Sequence, residues 1–405
     1  MNEHAESDGR RGRSLNPATA ATVFRLIRER TATSRAELGR HTGLSRTAVA
    51  ARVTALIETG LVQEGAPPGS SSGVGRPAAR LAFDASAGIV LCAAIGRSRT
   101  QVGVVDLAGE IVAETEIAQE IGLGPDELLP RVVGALAETL GRARRDVAAV
   151  KGVGVSIPGT VDQEHGCSLD SPIMSGWHEV PMAPYFAELT PATVHVENDT
   201  NVIALSERDG HLATAPDALI IKASTGFGAG IVTGGVLQHG ALGAAGEIGH
   251  VKYPPAKGLA CRCGETGCLE AVAGGWALVR DLRAVGVDVD HVRDVVTLAM
   301  AGDQPARRAV RRSGRHLGSV LATAVTLLNP ATVVVGGDMQ PAYEPFVAGL
   351  RETLYRDATP IATRELTIVA ATHGAQAGLR GCAALALDHA LDDEVINRLA
   401  THAVD

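Results

Sequence analysis

Aromatic residues make up only 3% of this 405-residue chain. So few rings exclude a surface that holds RNA or single-stranded DNA by stacking bases on side chains. No apolar run approaches the roughly 18 residues that span a bilayer. The opening stretch, MNEHAESDGRRGR, lacks the apolar core of a secretory signal. The expected location is therefore the cytoplasm, with no membrane partner. Cysteine is sparse, at six residues, and cytoplasmic thiols stay reduced, so metal binding is favoured over disulfides where they cluster. Lysine is missing from the first 80 residues, which carry 12 Arg and 7 acids, a net of +5. The remainder carries 25 basic and 38 acidic residues, a net of −13. A small basic head on an acidic body implies that the head alone meets a polyanion. Apolar and charged fractions of 45% and 20% are those of a globular protein, and the length implies two or three domains.

Three of the six cysteines lie in one stretch, GEIGHVKYPPAKGLACRCGETGCLE, from Gly246 to Glu270. Cys261, Cys263 and Cys268, with His250 upstream, form a complete tetrahedral Cys₃His set with no open position, which predicts a structural zinc ion. Gly264 and Gly267 supply the positive φ that a chain folding around an ion needs. Two carboxylates flank the set, Glu247 and Glu270. A metal-bound His has a second ring nitrogen to donate, and held carboxylates accept from hydroxyls, which suits a polyhydroxylated ligand such as a sugar. Spacing alone serves equally well for solvated acids or for groups that orient the metal ligands.

The pattern ExGH followed by CxCGxxGCxE resembles the signature of the ROK family of sugar-responsive repressors and sugar kinases. The resemblance implies that His250 both ligates zinc and contacts sugar, and that Glu247 and Glu270 bind sugar hydroxyls.

The head has its own pattern. Asn16-Pro17 predicts a helix start, followed by an apolar stripe of Val23, Leu26 and Ile27. Ser34 with Glu37 forms a capping box, Thr42-Gly43-Leu44 a turn, and Ser45 the cap of a third helix with Val49, Val53, Leu56 and Ile57 facing inward. This is helix-turn-helix patterning. The run from Leu61 to Phe83, with PPGSSSGVG at its tip, predicts a wing, and Gly75-Arg76-Pro77 resembles the wing tip of ROK repressors. In that geometry Ser45, Arg46 and Thr47 stand at the major groove, with Arg46 suited to guanine. Arg52 is expected on phosphate and Arg76 on the minor groove or backbone.

The body alternates strands and helices, which predicts mixed sheets in an α/β fold. The resemblance specifies two actin-like lobes with a sugar cleft between them. The expected layout is a tail over 1–15, a winged helix-turn-helix domain over 16–83 and a ROK domain over 84–405. Its lobe one spans about 84–200 plus the C-terminal helix, and lobe two about 201–380. Asn198-Asp199, at a strand end and helix start, reads as a helix cap by itself. By resemblance the pair binds sugar, and in the family's kinases the Asp is the general base. Ser224 to Gly230 is a glycine-rich loop matching a phosphate loop, and Gly336-Gly337 matches the nucleotide side.

Two departures stand out. Where the family's kinases read DxGGTK, this chain has Ala94, Ile95, Gly96, Arg97, Ser98 and Arg99, losing the acid and gaining an arginine. Ile173 stands where many members place Asn, and Trp177 is either a stacking ring or core. The expected protein is a non-enzymatic, sugar-controlled DNA-binding regulator, a repressor acting as a homodimer or higher oligomer on a palindromic operator. An ATP-dependent sugar kinase with a DNA-binding head, or a regulator controlled by a partner protein, are the alternatives.

Overall fold

The computed structural model describes residues 19–65, 79–119, 122–170 and 176–402. The chain forms two compact units, one running through Ala87 and resuming at His389, the other spanning Gly88 to Asp388.

In the first unit, α1 (Ala20–Arg28) is capped by Thr19, whose hydroxyl accepts from Thr22 N at 3.3 Å. The Asn16-Pro17 start expected from sequence lies outside the described residues. Before α2 (Arg35–Thr42), Ser34 accepts from Glu37 N, while the Glu37 carboxylate reaches Thr33 N at 2.7 Å, one residue earlier than a standard capping box. Gly43, at φ 71°, makes the turn into α3 (Arg46–Glu58). Val23, Ile27, Leu38, Val49, Val53 and Leu56 are all buried together. Strands β1 (Val62–Gly65) and β2 (Arg80–Phe83) pair antiparallel as the wing, and Phe83 packs edge-on against Phe24 with centroids 5.5 Å apart. The wing tip, with Arg76, lies outside the described residues.

The domain boundary expected from sequence needs correction. The body does not run to the C-terminus: helix α14 (Asp393–His402) joins the head, against α1 and α3. Asn397 Oδ1 accepts from Ala21 N at 3.0 Å, satisfying a first-turn N–H that no helix can satisfy internally. Asp393 pairs with Arg25 at 3.4 Å, and Ile396 is fully buried. (Helix labels follow chain order; α4 to α13 belong to the body.)

The body holds two five-stranded sheets of the same topology. In the first, β3 (Ile89–Ile95), β4 (Arg99–Asp106) and β5 (Ile111–Ala118) form an antiparallel meander. Helix α4 (Pro125–Arg142) then returns the chain to β6 (Val150–Ile157), parallel to β3. A small hairpin, β7 (Thr160–Asp162) and β8 (Cys167–Asp170), and the short α5 (Ala183–Phe186) precede β9 (Val194–Asn198), parallel to β6. Helix α6 (Asp199–Ser206) follows directly.

The second sheet repeats the plan. Strands β10 (Ala218–Ala223), β11 (Phe227–Thr233) and β12 (Val236–Gln238) form the meander. Helices α7 (Glu270–Ala273), α8 (Gly275–Arg283), α9 (Val292–Met300) and α10 (Gln304–Leu328) lead to β13 (Thr332–Gly336). Helices α11 (Tyr343–Asp357) and α12 (Pro360–Thr363) then lead to β14 (Thr367–Ala370), and both last strands run parallel to β10. Such crossovers need a helix because parallel neighbours cannot be joined by a tight turn.

Helix α13 (Ala377–Ala390) returns to the first sheet, as expected of a C-terminal helix. It crosses α6 where a Cβ on Gly381 would sit 1.7 Å from Val202 O, so only glycine permits the approach. Gly154 of β6 meets Cys382 in the same way, at 2.0 Å from its carbonyl oxygen. Trp177 is core: it is 1% exposed and its Nε1 donates to Leu123 O at 3.0 Å. Ile173 lies outside the described residues.

Candidate ligand cleft and metal centre

The segment after β12 folds back on itself through two isolated bridges, Lys252 to Cys268 and Ala260 to Thr266. Cys261 N donates to Glu265 O at 2.7 Å, and Gly264 and Gly267, at φ 88° and 80°, turn the chain around the thiols. The four predicted ligand atoms, on His250, Cys261, Cys263 and Cys268, lie within 4.8 Å of one another. Cys263 and Cys268 Sγ are 3.8 Å apart, and His250 Nδ1 is 3.8 Å from Cys261 Sγ. A Zn–S bond of about 2.3 Å in a tetrahedron separates two sulfurs by roughly 3.8 Å, so the cluster has the donor set and the spacing of a metal-binding site. Burial pushes the Cys261 thiol up to about 12 and raises Cys268 as well, so thiolates here need a cation beside them. Lys252 supplies some positive charge, with its Nζ 2.8 Å from Thr266 O and 3.9 Å from Cys268 Sγ.

With Nδ1 turned to the cysteines, His250 presents Nε2 to Glu247 Oε2 at 3.9 Å. Both residues line a cavity of about 1010 Å³ between the two sheets, as do Asn198, Asp199 and Glu270. The structure therefore gathers all five residues expected at a sugar site. Their side chains are committed to different degrees. Asn198 caps α6, accepting from Thr200 N and Asn201 N at 2.8 and 3.2 Å, and its Nδ2 donates to Gly159 O at 2.8 Å. Glu270 is 5% exposed. Its Oε1 accepts from Trp276 Nε1 at 2.9 Å and its Oε2 from Phe227 N at 3.2 Å. A Cβ on Gly226 would lie 2.2 Å from Oε2, so the glycine-rich turn exists partly to admit this carboxylate. The expected Ser224–Gly230 loop is shorter than its composition implies, because β11 already begins at Phe227.

Some residues lining the cleft or standing behind its wall are not marked by any sequence pattern. Lys222, a lone cation ending an apolar strand, ion-pairs with Asp199. Glu197, 2% exposed, sits behind Asn198 and accepts from Asn198 N at 2.7 Å, Asn201 Nδ2 at 2.9 Å and His239 Nε2 at 2.8 Å. That last bond raises the His239 pKa above its ordinary value, against a smaller opposing effect of burial. Only alternation and exposure guide a sequence reading at such positions, and neither marks a buried acid.

On the opposite side of the cavity, Asp338 accepts from Ser224 Oγ and pairs with Arg99 at 3.3 Å and Arg293 at 3.8 Å. His291 Nδ1 accepts from Arg293 N at 3.2 Å, which leaves Nε2 protonated to face Ser98 Oγ at 3.2 Å. Ala94, in place of the kinase acid, faces Gly378 of α13.

In the head, Ser45, Arg46 and Thr47 are exposed at the start of α3. The Ser45 hydroxyl accepts from Ala48 N at 3.2 Å, so its first task is the helix cap. Arg52 lies six residues beyond Arg46, with Nη1 3.1 Å from Ala48 O.

Residues 90–389 match the ROK family, and the chain belongs to it. Over 399 residues it is 25% identical to the DNA-binding transcriptional repressor Mlc of Escherichia coli, covering 95% of this chain and 96% of that one. It is also 30% identical over 303 residues to a glucokinase of Halalkalibacterium halodurans, covering 71% of this chain and 91% of the enzyme. A crystal structure of a ROK family transcriptional regulator, homologous to the E. coli protein, superposes with a TM-score of 0.77 at 26% identity, covering 95% of this chain and 98% of that one. The kinase match thus covers about seven-tenths of this chain, and the regulator matches nearly all of it.

Proposed function

We propose that this chain is a sugar-responsive transcriptional repressor. It binds a double-stranded operator through the winged head and releases or retains it according to a sugar bound in the cleft. One observation carries the reading: a helix-turn-helix with an exposed, arginine-bearing start to its third helix is joined to a cavity that gathers Asn198, Asp199, Glu247, His250 and Glu270. The relatives that share both parts are named as repressors or regulators. The Cys₃His cluster holds a structural zinc ion that fixes His250 and brackets Glu247 and Glu270 around the sugar. The ion's part is to lock the ligand loop in shape; the sugar is held by carboxylates and an imidazole.

The kinase alternative is disfavoured by the phosphate side of the cleft. Phosphoryl transfer needs an acid near the Mg²⁺ and a loop close to the phosphates. Ala94 offers no carboxylate, and Asp338 is engaged by Arg99, Arg293 and Ser224. A partner-protein effector remains the third reading, and nothing in the cleft favours it over a small ligand. As a regulator, the protein acts as a homodimer on a palindromic operator, because a two-fold protein matches two half-sites. No helix among the described residues is long and apolar enough to cross a membrane.

The test is an operator-binding assay across a sugar library, with and without Mg-ATP. A sugar that shifts operator affinity without ATP and without ADP release supports the reading. Sugar-dependent ADP release, abolished by Asp199→Ala, would overturn it in favour of the kinase.

A further inference from the structure

Among the described residues, one cation of the cleft has neither an ion-pair nor a hydrogen-bond partner for its side chain. Arg97 sits in the turn between β3 and β4, and its side chain lines the cavity. The turn is held firmly: Gly96 N donates to Arg99 O at 2.9 Å, Gln119 Nε2 donates to Gly96 O at 2.6 Å, and Gln119 N donates to Ser98 O at 3.1 Å. The backbone that carries Arg97 is therefore fixed at the cavity wall.

Each of the other cations in the lining has a carboxylate. Lys222 has Asp199, Arg99 has Glu116 and Asp338, and Arg293 has Asp338. Arg97 forms no ion pair among the described residues, and its Nε is buried without a hydrogen-bond partner. A second guanidinium, Arg262 of the metal loop, repels it. Glu270 attracts it but already accepts from Phe227 N and Trp276 Nε1. Arg97 is only half-buried, so a ligand in the cavity can reach its guanidinium, and an arginine fork is the group best matched to two oxygens of one oxyanion.

We propose that Arg97 forms an oxyanion subsite inside the sugar cleft, so that the effector is an anionic sugar. Glu270, Glu247 and His250 read its hydroxyls, and Arg97 reads a phosphoryl or carboxylate group on the same molecule. The inference rests on the sugar reading proposed above, and deepens it by naming the ligand's charge. A neutral sugar would leave the guanidinium as unpaired as it is now.

The experiment measures affinity by calorimetry and thermal shift on the full-length, metal-loaded protein. The ligands are a panel of neutral sugars, their phosphates, their uronates, ATP, and inorganic phosphate alone. The expected result is that one anionic sugar binds more tightly than its neutral parent, and that Arg97→Gln removes about ten- to hundredfold of that preference. Arg97→Lys, which keeps the charge and loses the fork, should retain part of it. Phosphate against uronate identifies which oxyanion is read. If inorganic phosphate stabilises the parent protein but not Arg97→Gln while no sugar binds, the subsite stands and the sugar reading falls. If neutral sugars bind as well as anionic ones, or Arg97→Gln leaves the preference intact, the subsite is refuted and the sugar reading survives. Preferential binding of ATP over every sugar phosphate also refutes it.

Discussion

Lys222, near the end of β10, and Asp199, the first residue of α6, form an ion pair on the wall of the cleft. Asp199 also stands in reach of Thr200 Oγ1 at 3.4 Å. The pair joins a strand of the second sheet to the helix that follows the last strand of the first. A ligand hydroxyl arriving at Asp199 therefore competes with, or adds to, a contact that already ties the two halves of the body together. Asp199→Ala should abolish the sugar response and lower stability by about 1–3 kcal/mol, since it strands a partly buried ammonium. Lys222→Met in that background should recover stability without recovering the response. Denaturant titration and operator binding with sugar, measured on the same samples, check both halves.

The metal cluster predicts linked losses. Cys263→Ala removes one of four ligands, so zinc content should fall below one per chain and the sugar response should fall with it. Operator binding in the absence of sugar should persist, because the head folds around its own core of Val23, Leu38, Val53 and Leu56. Elemental analysis of protein prepared without chelator is the direct check. Absence of zinc from the unmodified protein would refute the assignment.

Arg46 and Arg52 should behave differently on DNA. Arg46 is exposed in the first turn of α3, where a side chain enters the major groove. Arg46→Ala should cost about 1–3 kcal/mol on the operator and relax preference at one position. Arg52 lies nearly two turns further along the helix, with its guanidinium already touching Ala48 O. Arg52→Ala should weaken all duplexes alike and flatten the salt dependence. Identical profiles for the two variants across a set of operator mutants would show the division to be wrong.

The His239–Glu197 hydrogen bond gives stability a pH dependence of known sign. The folded-state pKa of His239 is raised above its ordinary 6.5, first by this bond. Its contribution is fully present below 6.5 and is lost as pH rises through the higher folded value. Melting temperature should therefore drop relative to that of His239→Gln as pH rises from 6 through that window. Parallel curves for the two proteins would show that the bond does not stabilise the charged imidazole.

The parts legible in the amino-acid sequence share one property, which is short range. The candidate metal ligands all fall between His250 and Cys268, so their spacing alone announces a Cys₃His set, and the structure brings the four donor atoms together. The helix-turn-helix is written in local caps and a 3.6-residue stripe, from Ser34 to Leu56. Strand β6 spans Val150–Ile157, where Val153, Val155 and Ile157 recur with the period of two that marks a strand. Helix α14, by contrast, takes its role only from contact with the head.

What tertiary structure alone decided are pairings between distant positions. Asn397 capping α1 joins residues 376 apart in sequence, and Asp199 meets Lys222 only because α6 crosses to the second sheet. Glu270 was legible as a motif residue, yet its burial between Trp276 and Phe227 was not. The sequence could show that Arg97 replaces a glycine. That its guanidinium would stand in the cavity with no carboxylate partner among the described residues depends on where every other charge in the cleft found its partner. Local patterns specify elements because backbone periodicity and caps act over a few residues. Charge compensation inside a cleft is settled by distances across the fold, which no local pattern contains.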